Sequence, residues 1–125
     1  EQRGAALGDY DRDGRIDLVV TQNGGATRLF RNASSHSGLR VRLRGPVGNP
    51  CGVGAVIRGR YADQWGPARE VHGGSGYCSQ DSTVQTLAAS PRPSEIQVLW
   101  PGGRRTTNAV DSTAAEITFD REARD

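Results

Sequence analysis

The sequence contains no lysine and no methionine, and only 6% of its 125 residues are aromatic. All 16 basic residues are arginine, a bias that we attribute to the genome rather than to a designed surface. The formal net charge is only +2, which does not create the single-sign field that nucleic-acid binding usually needs. No apolar run approaches the roughly 20 residues of a membrane-spanning helix. We therefore expect no nucleic-acid partner and no insertion into a membrane.

The chain opens on Glu1, without an initiator methionine and without a signal-like apolar stretch. We expect it to be a piece of a longer or processed protein. Its length is enough for one modest core, or for one small domain with a fragment of another.

Only two cysteines are present, Cys51 and Cys78, and their spacing fits no CxxC metal or redox motif. They form either a disulfide or two separate free thiols. The bridge is favoured because both lie in glycine-rich loops of a chain with an exported character. It would close a loop of 26 intervening residues and stabilise the fold by about 3 to 4 kcal/mol. Neither thiol is paired with a histidine in the sequence, so a catalytic cysteine is not favoured.

The features that are present indicate an all-β protein. Glycine occurs 17 times and proline six times, and hydrophobic residues alternate with polar ones at period 2, with no sustained helical period. We predict a small antiparallel β-sandwich or barrel, preceded by a three-stranded unit that resembles one unit of a repeat array. The predicted division is a unit at 1–32, a linker at 33–37 and a sandwich at 38–125. The predicted strands lie at 3–8, 15–22, 26–32, 39–44, 54–61, 69–73, 83–88, 94–100, 104–108 and 114–120.

The segment "LRVRLRG" at 39–45 places three arginines on one side of an extended strand. These are Arg40, Arg42 and Arg44. A solvent-facing surface over a buried one explains this pattern better than a phosphate-binding stripe, because no aromatic residues accompany the arginines.

The segment "GDYDRDGRID" at 8–17 brings four aspartates close together. If Asp9 is position 1, carboxylates occupy positions 1, 3, 5 and 9, glycine occupies position 6, and position 7 offers a backbone carbonyl. This order matches the first part of an EF-hand loop, although position 12 is Val20 rather than glutamate. Arg12 and Arg15 would face away if the carboxylates converge on a cation. We predict a Ca²⁺ site formed by Asp9, Asp11, Asp13, the Arg15 backbone carbonyl and Asp17.

Two alternatives for this loop are a solvated turn and a pair of catalytic carboxylates. Simple Asp-Gly turns rarely carry three further aspartates in register, which disfavours the first. Acid/base catalysis needs two carboxylates in different environments across a cleft, whereas these four belong to one short loop. We expect no enzymatic activity from it.

The segment "GDYDRDGRIDLVV" resembles the FG-GAP or VCBS repeat, a β-propeller blade unit of integrin-α-like and related extracellular proteins. The resemblance implies that the aspartate loop binds Ca²⁺ and that the first three strands form a blade-like unit. Residues 38 to about 110 are similar to the ASPIC/UnbV domain, which follows such repeats in exported bacterial proteins and in cartilage acidic protein. The segments that carry this second resemblance are "LRVRLRG", "GVGAVIRGRY", "REVHGGSGYCSQ" and "EIQVLWPGGRRT".

The sequence departs from the ASPIC/UnbV pattern at two places. It has "VQTLAAS" at 84–90 where the family usually has a Phe-Gly-Leu-Gly-like stretch, and Cys78 stands where the family more often has an aliphatic residue. A bridge between Cys78 and Cys51 would therefore be a local feature of this chain.

Polar and aromatic residues in the loops at one end of the sandwich are candidates for ligand binding. The alternative for the tryptophan among them is a turn residue folded over the core. The candidate surface consists of Trp65, His72, Tyr77, Ser79 and Gln80.

Together these features predict a secreted or cell-envelope, non-catalytic module for adhesion or recognition, in which Ca²⁺ is structural. The alternatives are a carbohydrate-binding module and an auxiliary domain of an exported enzyme. The partner would be an unidentified protein or glycan. A three-stranded unit without neighbours has an open edge, so it should dock on the sandwich or pair with a second copy.

Overall fold

A computed structural model describes residues 2–122 and confirms an all-β protein. No helix among these residues is long and apolar enough to cross a membrane. Short strands follow from the frequent β-branched residues at alternate positions and the glycine and proline turns between them. The strands are β1 (Gln2–Gly8), β2 (Asp17–Gln22), β3 (Arg28–Phe30), β4 (Leu39–Arg44), β5 (Val56–Tyr61), β6 (Gln64–Trp65), β7 (Arg69–Glu70), β8 (Gln85–Leu87), β9 (Glu95–Leu99), β10 (Arg105–Ala109) and β11 (Glu116–Asp120).

The first three strands form a separate antiparallel sheet in the order β1-β2-β3. Its register pairs Ala6 with Val19 and Val19 with Leu29. Within residues 2–30, Val20 is the one hydrophobic side chain that is buried, whereas Leu29 and Phe30 are half exposed. The sheet has too few strands to bury both of its faces, as the sequence predicts.

The remaining strands form the predicted sandwich. One sheet has the order β10-β9-β5-β6, and β7 pairs with β5 on the same edge as β6. The other sheet has the order β11-β4-β8. One pair departs from the antiparallel pattern, because β11 runs parallel to β4. A parallel pair needs a long crossover, and here the crossover contains all the strands from β5 to β10.

The two sheets of the sandwich enclose a single hydrophobic core. Alternate residues of β4 and β9 point into it, as period 2 requires. At about 25 cal/mol per Å² of apolar surface, burial of these side chains is the main force that stabilises the sandwich. The buried residues of this core are Leu39, Val41, Leu43, Ala55, Ile57, Val71, Leu87, Ile96, Val98, Trp100 and Phe119.

The N-terminal sheet docks on the sandwich through polar contacts. The amide of Leu7 donates to Asp81 Oδ1 at 2.8 Å, and the amide of Ser82 donates back to the Leu7 carbonyl at 2.8 Å. The amide of Gly38 donates to the carbonyl of Gly14 at 2.7 Å. Gly14 has φ +81°, and a Cβ there would lie 2.7 Å from the Gly38 oxygen, so both its conformation and its surroundings require glycine. The two hydrogen bonds of Leu7 cover part of the outer edge of β1.

The disulfide predicted between Cys51 and Cys78 is not present, since both are exposed free cysteines. The two belong to separate parts of the surface. Cys51 follows β4 in the turn closed by the Gly52 amide on the Asn49 carbonyl, whereas Cys78 lies in a tight turn beside β1. Glycine-rich loops bring two cysteines within bonding distance only if the loops themselves meet.

Candidate metal centre

Three of the four aspartates in the loop between β1 and β2 converge. Asp9, Asp11 and Asp17 each offer one carboxylate oxygen, and these oxygens all lie within 4.8 Å of one another. Asp17 is 2% exposed, Asp9 is partly buried and Asp11 is at the surface. The group could hold a metal ion at the end of β1, where the chain turns into β2.

The loop is shaped by hydrogen bonds from its own backbone amides. Asp9 accepts from the amides of Asp13, at 3.0 Å, and Gly14, at 2.8 Å. Asp17 accepts from the amides of Tyr10, at 3.2 Å, and Asn32, at 2.8 Å. Short aspartate side chains that bond to nearby amides favour such tight turns. Each carboxylate oxygen has a second lone pair, so these bonds leave acceptor capacity for a cation.

The fourth aspartate is oriented differently. Asp13 Oδ2 lies 2.8 Å from Nη2 of Arg15 and 3.4 Å from Nη2 of Arg31, and it is not one of the three convergent carboxylates. Arg31 also pairs with Asp11 Oδ2 at 2.8 Å. The expectation that Arg15 faces away from the carboxylates is therefore wrong, because its guanidinium folds back onto Asp13. Repulsion among the four carboxylates is reduced by arginines as well as by any bound cation.

Arg40 of β4 joins the loop to the sandwich through a buried ion pair. It is 5% exposed, its Nη1 lies 2.5 Å from Asp9 Oδ2, and its Nε lies 2.8 Å from Oε2 of Glu116. The expectation of a solvent-facing arginine surface on β4 is wrong at this position. The N-terminal sheet covers this end of the outer face of β4, and the charge is buried because two carboxylates accompany it.

The pKa of Asp9 shows how these contacts balance. Burial alone would raise the pKa of its carboxyl, but the hydrogen bond from Arg40, the amide of Gly14 and the charge of Arg40 together hold it below the usual value. Asp9 therefore remains ionised, and this is the form that a cation requires.

We expect the stabilising effect of Glu116 to depend on pH. Hydrogen bonds from Arg42 and then Arg40 lower the pKa of Glu116 below its ordinary value of 4.5. A lowered carboxyl pKa contributes stability that is present above the unfolded-state pKa and is lost as the pH falls through the folded-state pKa. Glu116→Gln should therefore reduce the free energy of unfolding at pH 7 and have a smaller effect at pH 3.

Urea denaturation of both proteins at pH 7, 5 and 3 measures this difference. Glu122→Gln, on the surface just after β11, is the matched control. An equal loss from Glu116→Gln at pH 7 and pH 3 would contradict the prediction.

The candidate ligand surface is divided between two places. Trp65 lies in β6, where it pairs with Arg60 of β5, rather than in a turn. His72 follows β7, which pairs with Val56 and Ile57 near the other end of β5. Val56 and Arg60 are four residues apart along β5, about 13 Å at about 3.3 Å per residue. Trp65 is therefore distant from the loop at 72–80 that carries His72, Tyr77, Ser79 and Gln80.

Within this loop, Gln80 braces the backbone instead of pointing freely outward. Its amide nitrogen donates to the carbonyls of His72 and Asp81, both at 3.0 Å, and its amide oxygen accepts from Gly74. The Ser79 amide closes a turn on Gly76. Tyr77, by contrast, is 76% exposed on this braced loop, and a cavity of about 180 Å³ lies beside His72 and Ser75.

No curated protein matches this chain. The family model described as ASPIC and UnbV matches residues 45–124, which is more than half of the chain and covers the sandwich from the end of β4 onward. ASPIC/UnbV domains are typically non-catalytic modules, and they are found in extracellular or exported proteins. The match includes three of the four segments in which the sequence resembles this family. The chain therefore belongs to the ASPIC and UnbV family.

Proposed function

We propose that this chain is a non-catalytic, extracellular recognition module in which the aspartate loop binds Ca²⁺ as a structural ion. The observation that carries the proposal is the convergence of Asp9, Asp11 and Asp17 within 4.8 Å. The resemblance of "GDYDRDGRIDLVV" to the FG-GAP or VCBS repeat supports the same choice of ion.

The donor set suits a hard cation. All three side chains offer carboxylate oxygens, and Ca²⁺ takes six to eight oxygen ligands in a flexible geometry, whereas zinc sites usually include nitrogen or sulfur. Water and backbone carbonyls, including that of Arg15, would complete the coordination. Asp13 would join only if its carboxylate left Arg15 and Arg31.

The position of the loop explains what the ion would do. The loop connects β1 to β2, and it contacts the sandwich through Asp9 and Arg40 and through Gly14 and Gly38. A cation that holds the loop closed would preserve both contacts. Calcium would then stabilise the docking of the N-terminal sheet, and recognition would belong to the sandwich.

We expect the melting temperature to rise when calcium is added to chelator-treated protein. Extracellular Ca²⁺ modules bind at about 10⁻⁴ to 10⁻³ M. At about 10 mM Ca²⁺, mass action gives roughly 1.4 to 2.7 kcal/mol of stabilisation, or about 5 to 10 °C for a domain of this size. Thermal unfolding followed by circular dichroism in EDTA and in CaCl₂ measures it.

Two variants make this experiment specific. Asp11→Asn removes a surface ligand and should abolish most of the response, whereas Asp63→Asn, in the exposed turn between β5 and β6, should retain it. Equal melting temperatures in EDTA and CaCl₂, or a full response in Asp11→Asn, would contradict calcium binding at this loop.

For recognition, the exposed ring of Tyr77 favours the loop at 72–80 over the edge strand that contains Trp65. The bonds made by Gln80 fix this loop before any ligand arrives, so binding would require little ordering of the backbone. A protein or a glycan would suit such a surface, because an aromatic ring with a hydroxyl group offers both an apolar face and a polar end.

A further inference from the structure

A second, chemically different cleft lies between the aspartate loop and the outer face of the β11-β4-β8 sheet. Its volume is about 480 Å³, within the range of small-molecule sites. Arg12 lines it from the loop, Arg42 and Arg44 line it from β4, and Thr83 lines it from the segment before β8. Three arginines therefore share one concave surface.

Two of these arginines have no carboxylate partner. Among residues 2–122, no carboxylate lies within 4.0 Å of the side-chain nitrogens of Arg12 or Arg44, whereas Arg42 pairs with Glu116 at 2.8 Å. Arg15, Arg31, Arg40 and Arg60 are all in ion pairs. Arg12 and Arg44 are thus two arginines whose charge no nearby carboxylate pairs, and both line this cleft together with Arg42.

The acidic groups around the cleft have other partners, and none of them forms an ion pair with Arg12 or Arg44 among residues 2–122. Glu116 lines it, but its carboxylate is shared between Arg40 and Arg42. Asp120 lies opposite Arg44 in the β4–β11 register, and its Oδ1 accepts from the amide of Glu122. Asp11 and Asp13, on either side of Arg12 in sequence, pair with Arg31 and Arg15, respectively.

The backbone of Arg12 gives independent support. Its φ is +61°, a left-handed conformation that non-glycine residues seldom adopt. Such conformations are unfavourable for residues with a side chain and tend to occur at functional sites. Here the hydrogen bonds of the neighbouring aspartates hold the turn, which presents Arg12 at the cleft opposite β4.

We propose that Arg12, Arg42 and Arg44 form a binding site for a phosphate or sulfate group. The planar guanidinium fork matches the oxygens of these anions and forms short, charge-assisted hydrogen bonds with them. The Thr83 hydroxyl adds a neutral donor. No lining residue is aromatic, so the cleft offers no stacking surface for the bases of a nucleic acid. The bound phosphate or sulfate is either a free inorganic anion or, for sulfate, a substituent of a sulfated saccharide.

The test is isothermal titration calorimetry of the full chain at constant ionic strength. The buffer contains no calcium, so that a bound cation cannot bridge to the anion. The probes are inorganic phosphate, inorganic sulfate and a sulfated disaccharide. We expect saturable binding, weakened at least fivefold by Arg12→Gln and by Arg44→Gln. Tighter binding of the disaccharide than of sulfate would identify a saccharide as the source, and the reverse would identify the free ion.

Arg105→Gln is the matched control, because Arg105 is an exposed arginine on β10 in the other sheet. Circular dichroism verifies that each variant is folded. Absence of saturable binding for all three probes, or an equal loss in Arg105→Gln, would overturn the site. Because calcium is absent throughout, this result is independent of whether the aspartate loop binds Ca²⁺.

Discussion

Replacing Arg40 with glutamine should lower the free energy of unfolding by about 3 to 5 kcal/mol. Arg40 is 5% exposed, and its guanidinium lies between Asp9 and Glu116. Glutamine cannot neutralise either carboxylate, and the Asp9 side chain is itself only 4% exposed. The variant therefore leaves a buried negative charge with no positive partner at the contact between the two parts of the chain. Urea denaturation in calcium-free buffer measures the loss.

Arg42→Gln is the matched control, since Arg42 also pairs with Glu116 at 2.8 Å. Its side chain is 35% exposed, so water screens the pair and the expected loss is at most about 1 kcal/mol. A similar loss from both substitutions would show that burial of Arg40 has no energetic consequence.

The ion pairs of Arg40 also affect how much the stability of the protein would depend on bound calcium. Four carboxylates of the loop are accompanied by Arg15, Arg31 and Arg40, so much of their charge is balanced without a cation. A cation would then add stability to a loop that is already closed, which is consistent with the weak affinity of extracellular Ca²⁺ modules. Loss of Arg40 should make the protein more dependent on Ca²⁺, because Asp9 would then lack its main positive partner.

The sequence predicts the fold class well because the relevant signals are local. Alternation at period 2 locates β4 and β9, and the turn "WPGG" separates β9 from β10, as the structure confirms. The parallel pairing of β11 with β4 depends on contacts between residues more than 70 positions apart, such as Ile117 and Val41. No local pattern encodes such a pairing, and for this reason a wholly antiparallel sandwich was the simpler prediction.

The same distinction applies to the candidate site. The convergence of Asp9, Asp11 and Asp17 follows from spacing within one loop, so it could be predicted. The partnership of Asp9 with Arg40 could not, because alternation in "LRVRLRG" shows which residues share a face and not whether another sheet covers that face. Arg31 was missed for the same reason, since it reaches Asp11 only when β3 returns beside the loop.

Replacing Trp100 with alanine is the second change with a large expected effect. Trp100 is 1% exposed in the core, and its indole nitrogen donates to Thr106 Oγ1 at 3.0 Å. Removing a buried tryptophan creates a cavity and typically costs about 3 to 5 kcal/mol. Trp65→Ala is the matched control, because it replaces the same residue type in a partly buried edge strand. It should lower the free energy of unfolding by less than about 2 kcal/mol. Urea denaturation followed by circular dichroism compares the two variants.

The Trp100→Ala variant should still unfold in one transition that includes the N-terminal sheet. That sheet buries one hydrophobic residue, Val20, within residues 2–30, which is too little to keep three strands folded alone. Its docking partners, among them Arg40 and Asp81, are positioned by the sandwich. In this variant the N-terminal sheet should therefore unfold at the same urea concentration as the sandwich. Amide hydrogen exchange in β2, which reports on the N-terminal sheet, can detect this. Retention of exchange protection in β2 after the sandwich unfolds would show that the N-terminal sheet is stable by itself.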